Sequence, residues 1–413
     1  MIETERSSTL VKVFVPFAVG YFLSYLSRVV NAVIAPDLVK DLGLDAAQLG
    51  LLTSAYFLAF AAFQIPLGVL LDRFGPRRTN AGLLVIAAAG AAIFAAADSV
   101  AGLAVGRGLM GLGVSGALMA GFKAFSMWFR VGQLPLVNGC QLAAGGFGAL
   151  MGTVPVEAAL GVLGWRGVFV VLAASFLIGA AAVMFMVPRR GMGVPAGSLL
   201  EQFRGFGRVF ASPLFIRIAP MTIAAQASFV GIQSLWSGPW LADVAGMGRG
   251  AVADYLLLIA CAMIVGFLIT GTIAERLGRR GVKTIDVALF GMTCFIASQI
   301  VLVVQWQGAV LLTWMAFGFF GTANLLCYAM LTQSFPIDMV GRVNTSLNLM
   351  VFAGAFLCQW GIGLIIDLFE PTAAGGYAPG GYRAGFGIML ALEIATMAWY
   401  WIYRRNDVRA VHP

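Results

Sequence analysis

The sequence predicts an all-α membrane protein of 12 transmembrane helices arranged as two pseudo-symmetric six-helix bundles. Three observations predict it. Sixty per cent of the 413 residues are hydrophobic and 11% are charged, whereas a soluble surface needs roughly a quarter of its residues charged. Apolar stretches of about 20 residues, the length that crosses a bilayer, recur from end to end. A short charged motif also appears twice at a fixed offset.

The apolar stretches place spans at about 12–36, 47–71, 79–97, 101–127, 134–160, 167–188, 214–241, 252–274, 284–305, 308–334, 343–367 and 384–403. The first is too long for a signal-peptide core and lacks a small-residue cleavage site, so it is expected to stay as span one. Of the 26 lysines and arginines, Lys40, Arg166, Arg249 and Arg383 fall on one side, and Arg28, Arg107 and Lys123 lie within spans. The rest gather on the other side. That bias puts both termini in the cytoplasm of an inner-membrane protein. An odd span count would scramble it.

The expected organisation is an N-terminal bundle over 1–188, a cytoplasmic linker over 189–213 and a C-terminal bundle over 214–413. In the linker, Leu199, Phe203, Phe206 and Phe210 recur at helical spacing opposite Glu201, Arg204 and Arg208, which predicts a short amphipathic helix on the membrane surface. The five cysteines all fall inside predicted spans and form no CxxC pair. No disulfide framework, metal site or other cofactor is expected. The formal charge of +8 sits in short loops rather than on a basic helix interleaved with aromatics, so nucleic acid is not an expected partner. The bilayer is. No nucleophile–base or metal constellation appears, so the chain is not expected to be an enzyme.

The repeat is Gly68-x-x-x-Asp72-Arg73-x-Gly75-x-Arg77, recurring as Gly271-x-x-x-Glu275-Arg276-x-Gly278-x-Arg280. Each copy follows the second span of its half. Gly68 allows close helix approach and Gly75 permits a tight turn, while an acid among arginines at a helix end forms charge-assisted bonds to a neighbouring helix. With these spacings the chain resembles the major facilitator superfamily, whose signature lies between spans two and three. The Arg107-x-x-x-Gly111-x-Gly113 stretch of span four resembles a second family element. The resemblance implies a rocking carrier, commonly monomeric, with spans 1, 4, 7 and 10 lining the pathway. It also implies gating roles for Gly68, Asp72, Arg73, Gly75, Arg77, Glu275, Arg276, Gly278 and Arg280, and a gating or proton-handling role for Arg107. Many organic-anion symporters of this type carry an acid at the position of Ser27; this chain does not.

Ionisable groups inside spans are expensive and are functional candidates by default. In span one, Tyr21, Ser24, Tyr25, Arg28 and Asn31 form one polar stripe. The guanidinium of Arg28 suits a carboxylate bidentately. Lys123 is a further candidate ligand, although 16 residues of helix turn it about 160° away from Arg107. Spans 1, 4, 7 and 10 hold no Asp or Glu away from their ends, which favours an anionic solute and leaves open whether a proton travels with it. Gln226, Gln233 and Trp236 of span seven, and Asn324 and Tyr328 of span ten, complete the expected site. Trp240 is expected as an interfacial anchor, and Gly238-Pro239 as a kink. The expected function is a secondary transporter of a small carboxylate-type anion, working as an uptake symporter. A proton-coupled drug or metabolite exporter, and a transporter-like ligand sensor, are the alternatives.

Overall fold

The structure, a computed structural model, describes residues 10–130, 133–189, 207–336, 339–372 and 376–411. Among these residues every regular element is a helix. Ten helices are long and apolar enough to cross a membrane, and two features raise that number to the expected twelve. Helix α1 is Val15–Leu42 and α2 is Ala46–Ala96. At 51 residues, α2 would measure about 75 Å if straight, far more than a bilayer of about 30 Å. It breaks at Gly75, whose φ of 75° and ψ of 165° lie in a region essentially reserved for glycine. The two arms are spans two and three.

Span four consists of α3 (Val100–Val114) and α4 (Ala117–Trp128). Next come α5 (Leu134–Met151) and α6 (Val154–Met186). Helix α6 breaks at Gly164, with φ 63° and ψ 172°. Its first part completes span five and its second is span six. Span seven is α7 (Pro213–Gly231), a π-helical turn over Ile232–Trp236, and α8 (Ser237–Asp243). Spans eight and nine are α9 (Arg249–Gly278) and α10 (Thr284–Val304). Span ten is α11 (Val310–Phe320) with α12 (Leu325–Gln333), and spans eleven and twelve are α13 (Val340–Ile366) and α14 (Pro379–Val411).

Spans four, seven and ten are therefore each interrupted part-way, and side chains satisfy the freed backbone, as a membrane interior requires. In span four the Ser115 hydroxyl donates to the Leu112 carbonyl (2.7 Å). In span ten Thr322 donates to Phe319 (2.7 Å) and Asn324 to Gly321 (2.9 Å). In span seven Ser234 donates to Val230 and Ser237 to Gln233. Pro239 has no N–H to offer the turn before it and its ring crowds the carbonyl four residues back. The expected kink accordingly appears as a widened turn one step earlier. Trp240 departs from expectation: it is 1% exposed, edge-on to Trp314 with ring centroids 5.5 Å apart. It is core, because α8 turns its indole inward rather than towards lipid.

The chain divides into two compact units, Met1–Leu44 with Leu51–Leu199, and Asp45–Gly50 with Leu200–Pro413. In the second unit, both carboxylate oxygens of Asp367 accept the backbone N–H groups of Ala46 and Ala47, at 2.9 and 2.7 Å. An acid from the end of α13 thus caps the α2 N-terminus. Partial burial holds that carboxyl above the usual carboxylate range, while the two N–H bonds pull it down. The amphipathic helix expected in the linker lies outside the described residues except for its last turn, where Phe210 meets Phe215 edge-on at 5.5 Å.

Candidate functional site

The stripe expected on span one is buried inside the first unit. Tyr21 and Tyr25 meet edge-on, with centroids 5.3 Å apart. They pack against α5 at Gly145, where a Cβ would fall 2.5 Å from the Tyr21 ring. Arg28, 7% exposed, lies over the Tyr25 ring at 4.6 Å and the Phe60 ring at 5.7 Å, and it hydrogen-bonds the Tyr56 hydroxyl. A guanidinium stacked on aromatic faces works through its in-plane N–H fork.

Asn31 joins the stripe to span four. With its amide oxygen facing span four, it accepts from Arg107 Nε (3.2 Å) and Nη2 (3.0 Å). Arg107 is 1% exposed, donates to the Ser27 carbonyl at 2.8 Å, and sits 4.9 Å from the centre of the Tyr56 ring. Among the described residues it makes no ion pair: a buried cation is held by a carbonyl, an amide and an aromatic ring. Tyr56 touches both guanidinium groups, and its own hydroxyl donates to Ser24 O (3.1 Å). Sequence reasoning missed Tyr56 and Phe60. An aromatic inside an apolar run carries no signal of which helix face it occupies.

Lys123 forms an ion pair with Asp72, so two residues expected in different roles, ligand and gate, come together at one end of the unit. Arg77 Nε donates to the Met184 carbonyl (2.8 Å), and Thr79 reaches back to Leu70 O (3.0 Å) across the Gly75 break. Arg73 is exposed and Gly68 half-buried. The second copy of the motif is built differently. Gly271, Glu275, Arg276, Gly278 and Arg280 are exposed or half-exposed. Glu275 pairs within its own helix with Arg279 (2.7 Å). The left-handed turn there falls on Gly281, φ 86°, three residues beyond Gly278.

In the second unit, Trp236 is fully buried and donates its indole N–H to the Gln359 carbonyl (2.9 Å). The Gln359 amide in turn donates to the Ser234 hydroxyl (3.1 Å), locking the π-helical turn onto α13. Gln359 is another residue the sequence reading missed. Gln233 is buried beside them and Tyr328 half-buried. Asn324 spends its amide N–H on Gly321 O, and its Oδ1, like Oε1 of Gln226, is buried with no hydrogen-bond partner among the described residues. Gln64 and Gln141 pin helices together, Gln141 through the Phe17 carbonyl at 3.1 Å.

Comparison with known proteins adds family membership. The chain is 27% identical over 342 residues to a probable sulfoacetate transporter of Cupriavidus necator, covering 78% of each. It is 24% identical to a probable L-galactonate transporter of Escherichia coli, covering 84% of this chain and 80% of that protein. A bacterial homolog of the human lysosomal transporter Spinster shares the fold at a TM-score of 0.77 and 18% identity, over 95% of this chain and 96% of the other. The family model described as Major Facilitator Superfamily matches residues 17–357. With its helix count, its paired motif and that match, this chain is a transporter belonging to the Major Facilitator Superfamily.

Proposed function

We propose that the chain moves a small hydroxylated organic anion across the inner membrane by alternating access, in the inward direction, with both termini in the cytoplasm. The observation that carries the reading is Arg107. Among the described residues this wholly buried guanidinium is met by neutral groups, and it shares Tyr56 with a second guanidinium, Arg28. A low-dielectric interior holding such charge attracts anions and repels organic cations. Arg28, framed by Tyr21 and Tyr25, is the residue that takes the carboxylate, while Arg107 is bonded into the helices. Lys123, paired with Asp72, is left to a switching role.

The named solutes of the two relatives support the charge. Sulfoacetate and galactonate share an acidic head group. The hydroxyls rest on the second relative, a probable L-galactonate transporter, whose named solute is a polyhydroxy acid; sulfoacetate is not. The test is uptake of labelled galactonate, sulfoacetate and a lipophilic organic cation by proteoliposomes. Galactonate is expected to enter and the cation to be excluded. Transport of the cation alone would overturn the proposal.

A further inference from the structure

Glu393, midway along α14, is 3% exposed and ends a chain of hydrogen-bonded polar side chains on three helices of the second unit. The Gln299 amide of α10 donates to Glu393 Oε2 at 2.7 Å. The Ser228 hydroxyl of α7 donates to Gln299 Oε1 at 3.2 Å. Among the described residues one amide N–H is the only donor the carboxyl receives: its other oxygen, Oε1, is buried without a partner, and no ion pair to Glu393 forms. An ionised carboxylate in such a place costs several kcal/mol, which one neutral amide N–H does not offset, whereas the neutral acid costs only a polar group.

Among the described residues of the helices packed against α14, Cys358 of α13 acts on this acid, while Cys294 of α10 stands about 8 Å along its helix from Gln299. The charged groups of these helices stand away from the acid: Arg217 is about 16 Å along α7 from Ser228, Asp286 about 20 Å along α10 from Gln299, and Arg342 about 24 Å along α13 from Cys358. On α14 itself Arg383 is about 15 Å away. Asp243 of α8 and Tyr382 of α14 are spent on each other at 2.6 Å.

We propose that Glu393 is a proton-binding site, loaded and emptied in each cycle, which supplies the coupling ion that the pathway helices lack. Ser228 lies one turn before the π-helical segment of span seven, and a π-helical turn inside a helix is frequently found at a functional site. Loss of the proton leaves an anion at the end of the chain that runs through Gln299 to Ser228, and so the proton reports to that turn. The electrical logic agrees: an anion entering a negative interior is opposed by about 2.3 kcal/mol per charge per 100 mV, and a co-loaded proton cancels that charge. The inference rests on the anion-uptake reading, and its test separates the two.

Infrared titration of the purified full-length protein, without solute, is expected to show at neutral pH a protonated-carboxyl band that Glu393→Gln removes. An unchanged band overturns the site. In proteoliposomes with galactonate as the probe, Glu393→Gln is expected to keep exchange of internal for external label and to lose accumulation driven by a pH gradient. Undiminished gradient-driven accumulation, or loss of exchange as well, overturns the coupling role. The first arm uses no solute, so absence of galactonate transport in the unmutated protein sinks the anion reading alone. Should Glu393→Gln fail to insert, the S–H stretch of Cys358 in the unmutated protein reads the same titration. It is expected to shift in one step, and a pH-independent band overturns the site.

Discussion

Arg28 and Arg107 carry the same charge and share Tyr56, yet their surroundings give them different work. Arg107 hands its donors to the Ser27 carbonyl and the Asn31 amide, so Arg107→Gln strips buried acceptors of their partners. It is expected to lower thermal stability by about 1–3 kcal/mol, read as an earlier melting transition in detergent. Arg28 is held by ring faces, and Arg28→Gln is expected to abolish galactonate uptake with membrane insertion intact. Uptake at the original rate would remove it from the binding role. The Arg28 stripe was legible in the sequence because polar residues at helical spacing are conspicuous in an apolar span. The claim of Arg107 on Asn31 was not, because nothing in a single chain states which neighbour a stripe will meet.

At the level of the helix, the breaks matter more than the lengths. Span boundaries were legible because a bilayer imposes a length, and both fused helices divide where the sequence offers a glycine between apolar runs, Gly75 and Gly164. The interruptions inside spans four and ten were not read, since runs such as Ser115-Gly116 and Gly321-Thr322-Ala323-Asn324 differ little from other small-residue runs in this chain. Trp240 shows the same limit: an indole near a span end serves equally as core or as anchor, and only the turn of α8 decides. Two outcomes follow at this scale. Asp367→Ala removes the acid from the α2 N-terminus and is expected to cost about 1 kcal/mol of stability, measured by thermal melting. Asp72→Asn breaks the pair with Lys123 and is expected to slow turnover more than it weakens solute binding. Lys123→Gln is expected to reproduce it, and a normal turnover rate in either variant would count against a switching role.

Across the whole chain the sequence motif is two-fold and its surroundings are not. The first copy is tied to α4 through Lys123 and to α6 through the Met184 carbonyl, while the second has its acid engaged within its own helix. Neutralising Glu275 is therefore expected to disturb turnover much less than neutralising Asp72, a contrast that parallel transport assays of the two variants would measure. The repeat itself was plain in the sequence because its spacing is exact to the residue. The asymmetry was hidden, because it depends on what each copy packs against.

Gly111 lies so close to the backbone of Tyr56 that an added Cβ would overlap its carbonyl. The ring that joins the two guanidinium groups is consequently mounted on a backstop with no slack. Gly111→Ala is therefore expected to displace Tyr56 and, under the anion-uptake proposal, to change the relative uptake rates of short and long acids while Arg28 itself stays unaltered; identical rates in both proteins would count against that coupling.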